Sequence, residues 1–101
     1  MKYLGMEHKP KQTEITNQYV IDFEICFEHE GKRFNLLAKM HSAAIVSGIA
    51  AEFMMTKVTT SLKYYCKKRN LPQELVTPEL LGNFIKDFTD FCDEWIKEKG
   101  N

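Results

Sequence analysis

A period-two alternation over residues 14–28 is the feature that most constrains the fold of this chain. Large apolar side chains occupy one parity of the segment: Ile15, Tyr19, Ile21, Phe23, Ile25 and Phe27. The positions between them are mostly polar. Because successive side chains of a β-strand point to opposite faces, this pattern predicts a strand with one buried face and one solvent-exposed face.

The sequence after this strand predicts a turn and a return strand. Gly31 can supply the positive φ that short hairpin loops with a bulge require. Lys32 and Arg33 then return beside Glu28 and Glu30 as expected cross-strand partners. The apolar parity resumes at Phe34, Leu36, Ala38 and Met40.

This β-hairpin, predicted over residues 13–40, is preceded by a short polar segment. Residues 1–12 include a proline among charged side chains and predict either an edge strand or a loose arm. A two-stranded sheet is only marginally stable by itself. We therefore expect helices to cover the apolar face of the hairpin.

The first predicted helix spans residues 42–70, with Ser42 as its N-cap and Leu71-Pro72 just beyond its end. Its apolar seam alternates spacings of four and three and is expected to face the core: Ala44, Gly48, Ala51, Met55, Val58, Leu62 and Tyr65.

A second apolar stripe surrounds the N-terminal half of the same helix. Its main members are Ile45, Ile49 and Phe53. A helix that is apolar on every side needs two layers to pack against, and one small sheet supplies only one. We expect the second layer to come from a twin subunit, or from the second helix together with a partner surface.

The second helix is predicted over residues 77–99. Thr77 suits the N-cap, Pro78 the first helical position and Glu79 the positive end of the helix dipole. The aromatic side of this helix is expected to join the core: Phe84, Phe88, Phe91 and Trp95. Its other side is acidic: Asp87, Asp90, Asp93 and Glu94. We expect a solvated face, with repulsion of nucleic acid, mimicry of it, or contact with a basic partner as the alternatives.

These elements predict one α+β domain over residues 1–101. In it, a β-hairpin, with or without a third short N-terminal strand, precedes two long amphipathic α-helices packed on one sheet face. No uninterrupted apolar run reaches the roughly 20 residues of a membrane span, and the N-terminus lacks the pattern of a signal peptide. We expect a cytoplasmic protein that does not contact membranes.

The sequence carries no motif typical of an enzyme. It lacks a glycine-rich phosphate loop, an HExxH motif and a nucleophile elbow. His8, His29 and His41 fall in or next to predicted loops, and we expect a solvated turn residue at His29 and a helix-entry residue at His41. We predict neither catalysis nor a cofactor.

The cysteines predict no metal site either. Cys26, Cys66 and Cys92 each fall inside a patterned element and show no zinc-ligand spacing. Free cysteines are among the residues most often buried in folded proteins. We therefore expect three buried, reduced thiols.

A basic cluster closes the first helix and offers an alternative function. Its members, Lys63, Lys67, Lys68 and Arg69, accompany Tyr64 and Tyr65 as candidate phosphate contacts and stacking surfaces. Cations in a last helical turn also complement the negative end of the dipole without any ligand. Because Lys plus Arg equals Asp plus Glu, the chain as a whole has no net attraction for nucleic acid.

Two hypotheses follow from the sequence. The first is a non-enzymatic, homodimeric interaction or regulatory protein, with a larger protein that it inhibits or assists as a further partner. The second is a nucleic-acid-binding module that uses the basic cluster.

Overall fold

Three antiparallel strands form one sheet. In the computed structural model, which describes residues 1–15 and 18–99, they are β1 (Lys2–Gln12), β2 (Tyr19–His29) and β3 (Lys32–His41), and β2 lies in the centre. The N-terminal segment is thus an edge strand and not a loose arm. Residues 16–17 of the predicted hairpin lie outside the described residues.

Helices follow the sheet in the order α1 (Ser42–Val46), α2 (Ala50–Lys68) and α3 (Pro78–Lys99), with a short 3-10 helix over Gln73–Leu75. They pack on the sheet face that carries the buried residues of β2, namely Ile21, Phe23, Ile25 and Phe27. The predicted α+β architecture, with two long helices on one sheet face, is confirmed. Of the helices in the described residues, none is both long and apolar enough to cross a membrane.

The alternation that predicts β2 begins earlier in the sequence than the strand does. β2 starts at Tyr19, and Ile15 is exposed although it shares the apolar parity. Local hydrogen bonds explain the difference, because the amide of Thr13 donates to the carbonyl of Gln18 (2.9 Å) and the amide of Ile15 donates to Thr13 Oγ1 (3.2 Å). These bonds replace ladder pairing, so Ile15 lies in the loop between β1 and β2.

β1 contains a bulge that changes which side chains face the helices. Tyr3 pairs with Phe27 and Met6 with Ile25, so the register shifts between Tyr3 and Gly5. A bulge leaves one residue unpaired and restores the alternation on the opposite parity. Tyr3 and Met6, three residues apart, consequently share the helix-covered face.

The prediction of a single helix over residues 42–70 is wrong, because the helix is interrupted between α1 and α2. Gly48 has a φ of +83°, in the left-handed region that favours glycine. The amide of Gly48 donates to the carbonyl of Ile45, and that of Ile49 to Ala44, both at 3.2 Å. These two bonds form a Schellman motif, which satisfies the last carbonyls of α1 and redirects the chain.

The buried residues of α2 differ in spacing from the predicted apolar seam. The buried row of α2 recurs at every fourth position: Ala50, Met54, Val58, Leu62 and Cys66. Val58 and Leu62 belong to both rows, and Ala44 and Ala51 of the predicted seam are partly buried against the core. Within α2 the two rows follow the same side of the helix, and Gly48, which the break leaves exposed, is the predicted seam member that does not face the core.

The two predicted N-caps differ in the structure. Thr77 Oγ1 accepts from the amide of Leu80 at 3.1 Å, as predicted for the start of α3. Ser42 is not a cap, because His41 occupies the N-cap position of α1 and makes no capping bond with its side chain. The Ser42 hydroxyl instead accepts from the amide of Tyr19 at 3.0 Å and ties α1 to β2.

Aromatic rings of α3 meet those of the sheet in the core. Phe88 lies 5.4 Å from Phe23 and Trp95 lies 5.2 Å from Tyr19, measured between ring centroids, and both pairs are edge-to-face. This geometry stabilises beyond the burial of area alone. The stripe predicted as core therefore joins α3 to β2.

Candidate interaction surface

The structure separates the three residues predicted to meet a second layer. Ile45 is 2% exposed and belongs to the core, where α1 contacts β2 and α3. Ile49 and Phe53 are 59% and 50% exposed. For Ile45 the second layer comes from α3, which was one of the two predicted alternatives, and Ile45 is too buried to be the interaction residue it was predicted to be. Ile49 and Phe53 stay uncovered.

Ile49 and Phe53 line a shallow depression of about 610 Å³ along one side of α2. We call this side the α2 face, and it consists of Ile49, Glu52, Phe53, Thr56, Lys57, Thr60 and Ser61. The spacings of three and four place these residues along one helical stripe. Two apolar side chains thus share a surface with one acid, one base and three small hydroxyl residues. The predicted interaction residues did not include Glu52, Thr56, Lys57 and Thr60, although their spacing from Ile49 and Phe53 places them on the same helical stripe.

A second depression adjoins the α2 face at the edge of the sheet. Lys57 also lines this depression of about 480 Å³, together with Leu37 and Lys39 of β3. Leu37 is 74% exposed. Leu37 therefore lies near Lys57 but outside the α2 face.

The free edges of the sheet are themselves poorly suited to pairing with another strand. β3 carries Lys32, Arg33 and Lys39, and β1 carries a bulge and Pro10. Cations, bulges and proline on an edge strand oppose edge-to-edge association. In the register between β2 and β3, Arg33 lies opposite Glu28 as predicted. No salt bridge joins this pair in the described part of the chain.

The basic cluster lies at the exposed end of α2 and just after it. The Arg69 guanidinium lies 3.8 Å from the ring centroid of Tyr65, which also stacks on Phe34 at 3.7 Å. Lys68 Nζ lies 5.5 Å from the centroid of Tyr64. Two of the four cations thus have aromatic partners within the chain, and Tyr65 is already engaged. Lys63 and Lys67 are exposed.

The acidic side of α3 forms one wall of a groove against β1. The groove has a volume of about 490 Å³, and its acidic lining consists of Asp87, Asp90, Glu94 and Glu98. Lys99 Nζ lies 5.5 Å from the ring centroid of Trp95 and 5.3 Å from that of Tyr19. A lysine of the chain itself therefore occupies the aromatic end of the groove, as expected for a cation over electron-rich rings. Asp93, predicted as part of the acidic face, does not line it.

The three histidines lie on different elements and form no common site. His29 was expected to be a solvated turn residue, but its side chain is only 14% exposed and its Nε2 has no hydrogen-bond partner. Its parity on β2 explains this, because odd positions of that strand face the helices. The His8 ring packs on Phe91 at 4.5 Å, and His41 precedes α1 as predicted. Among residues 1–15 and 18–99, no group of three or more side chains could hold a metal ion.

The three cysteines are all unpaired, but only one of them is fully buried. Cys66 is buried in the core, whereas Cys26 and Cys92 are half-buried. Burial raises the pKa of Cys66, and burial together with nearby Asp93 raises the pKa of Cys92 to about 11. Since the thiolate is the nucleophile, neither thiol is activated.

Comparisons with known proteins returned no match: no family model, no curated protein and no solved structure is similar to this chain. Function is therefore inferred from the side chains and their surroundings.

Proposed function

We propose that this chain is a non-enzymatic interaction protein that acts as a homodimer through the α2 face. The observation that supports this most is the exposure of Ile49 and Phe53, one helical turn apart, on a stripe with no net charge. Apolar patches on a protein surface often mark sites of association. Full burial of one such side chain contributes roughly 1.5–3 kcal/mol.

The packing of α2 supports this choice of surface. The opposite side of the helix already buries Ala50, Met54, Val58, Leu62 and Cys66. The α2 face is therefore the side of the helix that a partner can still cover. The edges of the sheet are less suitable because of their cations, the bulge and Pro10.

We extend the proposal to a regulatory or accessory role toward a larger protein in the cytoplasm. A dimer that associates through α2 would leave both acidic grooves free on α3 and β1. Three unpaired thiols suit a reducing compartment.

Size-exclusion chromatography with light scattering tests the homodimer. We expect a mass twice the 11.8 kDa of one chain, and the substitution Phe53→Glu should give a folded monomer because a carboxylate would enter an apolar contact. Leu37→Glu is the matched control, since Leu37 is exposed but lies outside the α2 face. A wild-type monomer at high micromolar concentration would contradict the proposal.

The same experiment addresses the nucleic-acid alternative. A monomer that co-purifies with nucleic acid, and loses it when Lys67 and Lys68 are changed to Glu, would favour the basic cluster as the functional site. The aromatic engagement of Arg69 and Lys68 within the chain makes this the second candidate.

A further inference from the structure

We propose that the groove between β1 and α3 binds an extended segment of a larger protein that is rich in lysine or arginine. This inference rests on the accessory role proposed above and names the chemistry of the partner, and it does not depend on the homodimer. It assigns Asp90, Glu94 and Glu98 as the residues that hold the cations of the bound segment.

The groove combines apolar and acidic surface. Its apolar lining residues are Met6, Pro10, Phe91 and Trp95. On the β1 side, the ring centroid of His8 lies 4.5 Å from that of Phe91. Lysine and arginine carry apolar stems below their charged ends. A basic segment can therefore bury these stems against the apolar residues while its cations meet the carboxylates.

The carboxylates of the groove form one continuous stripe of α3. At 3.6 residues per turn, the four acidic lining residues fall within an arc of about 80°, whereas Asp93 lies outside it. Asp90, Glu94 and Glu98 follow one another at intervals of four residues, which is a rise of about 6 Å. Alternate side chains of an extended chain are roughly 6.5 Å apart. Every second residue of an extended segment can therefore place a cation near one of these carboxylates.

The same carboxylates lack cationic partners in the described part of the chain. None of the four forms a salt bridge there, although Lys86 lies one helical turn before Asp90. Asp87 accepts the hydroxyl of Tyr3, which leaves the other three for a ligand. Their spacing along the helix also sets like charges side by side, which destabilises a helix. A basic segment relieves this repulsion and is the complementary occupant of the groove.

The position of Lys99 shows where a cation fits. Its Nζ lies over two rings, those of Tyr19 and Trp95, which meet edge-to-face at an interplanar angle of 86°. Two rings at nearly a right angle form a corner that attracts an ammonium group to both. Lys99 belongs to the last turn of α3 and is exposed. A lysine of the bound segment can take its place, so Lys99 competes with the ligand.

Fluorescence tests the proposal directly, because Trp95 is the only tryptophan of the chain and lines the groove. The probe is a synthetic peptide of alternating lysine and serine. A length of about seven residues spans the roughly 16 Å between positions 87 and 98. We expect saturable changes in the fluorescence of Trp95, with a dissociation constant that rises with salt. A peptide with glutamate in place of lysine should not bind.

Neutral variants locate the binding site. Glu94→Gln combined with Glu98→Gln should raise the dissociation constant of the lysine peptide about tenfold, because two ion pairs are lost. Asp93→Asn combined with Glu74→Gln is the matched control, since it removes the same charge from outside the groove. We expect the control to change the constant less than about twofold. Equal affinities in the two double variants would overturn the proposal.

The role of Lys99 has its own matched pair of variants. Lys99→Ala should lower the dissociation constant about threefold, because it removes the competing cation and opens the corner between Tyr19 and Trp95. Lys97→Ala removes the same charge in the same helical turn but outside the groove, and should lower the constant less. An equal effect of the two changes would contradict competition by Lys99.

Three further results would assign the groove to another occupant and overturn the proposal. Spermine or calcium chloride that binds more tightly than the peptide would identify a small cation. Loss of self-association in the variant Glu94→Gln with Glu98→Gln would identify a second copy of the chain. The absence of any response to the lysine peptide would leave the groove without a basic ligand.

The homodimer is tested separately from the groove. The variant Phe53→Glu should bind the lysine peptide with an unchanged dissociation constant, since Phe53 does not line the groove. A wild-type monomer that binds the peptide would overturn the homodimer and leave the groove proposal intact. A wild-type dimer that does not bind the peptide would overturn the groove proposal alone.

Discussion

The Tyr3 hydroxyl donates a hydrogen bond of 2.7 Å to Asp87 Oδ2, although 84 residues separate the two in sequence. Tyr3 lies on the edge strand and Asp87 in the middle of α3. The bulge after Tyr3 places its side chain on the helix-covered face, where its ring also lies 5.9 Å from Phe84. This bond therefore joins the first strand to the last helix.

Removing the Tyr3 hydroxyl should destabilise the fold modestly. We expect Tyr3→Phe to lower the free energy of unfolding by about 1 kcal/mol, because the bond to Asp87 is lost while the ring contacts remain. Urea denaturation provides the measurement. Tyr64→Phe is the matched control, since the Tyr64 ring is exposed and its hydroxyl forms no side-chain hydrogen bond in the described structure. Equal losses in the two variants would contradict a role for the bond.

The same tyrosine should make the free energy of unfolding depend on pH above pH 10. Burial, followed by the hydrogen bond to Asp87 and its negative charge, raises the pKa of Tyr3 above the ordinary value of 10.0. Above that pH the unfolded chain loses the phenolic proton while the folded chain retains it. The stabilising contribution is thus fully present below pH 10 and falls as the pH rises towards the folded-state pKa. The urea concentration at the unfolding midpoint should fall more between a pH below 10 and a pH above 10 in the wild type than in Tyr3→Phe.

The left-handed conformation of Gly48 predicts opposite effects for two glycine-to-alanine changes. Gly48→Ala should lower stability by about 1 kcal/mol, because a φ of +83° is strained for a residue with a Cβ. Gly82→Ala should raise it by roughly 0.5–1 kcal/mol, since Gly82 lies inside α3 and an added Cβ there meets open space. Thermal and urea unfolding of both variants would check this. Stabilisation by Gly48→Ala would show that the break between α1 and α2 does not require glycine.

The hydroxyls of Thr77 and Ser42 should both stabilise the fold, for different reasons. Thr77→Ala should cost about 1 kcal/mol through the loss of the α3 cap. Ser42→Ala should cost roughly 1–3 kcal/mol, because it leaves the partly buried amide of Tyr19 without its partner. Hydrogen exchange distinguishes the two changes, with faster exchange expected at the amide of Leu80 in the first variant and at that of Tyr19 in the second.

Thiol modification should distinguish Cys66 from Cys92. Cys66 is completely buried and should react with a disulfide reagent only when the chain unfolds. Cys92 is half-buried with a pKa of about 11, so its native-state rate should rise steeply as the pH increases from 8 towards 11. Mass spectrometry of the modified peptides would assign each rate. Rapid labelling of Cys66 in the native state would contradict its placement in the core.

The sequence by itself determined the elements whose signals are local. The alternation around Phe23 and Ile25 predicted β2, since period two arises from the strand geometry itself. The pair Thr77-Pro78 predicted the start of α3, because a cap and a fixed φ act within one helical turn. The α+β class follows from the order of these elements along the chain.

The tertiary structure decided the outcomes that depend on contacts between distant residues. Ile45 and Ile49 are both isoleucines and lie four residues apart. Ile45 is buried where α1 contacts β2 and α3, whereas Ile49 is exposed after the turn at Gly48. Helical periodicity cannot distinguish them, because it assumes a continuous helix. The α2 face, the groove beside α3 and the bond between Tyr3 and Asp87 arise in the same way, from surfaces that meet only when the sheet and helices have packed.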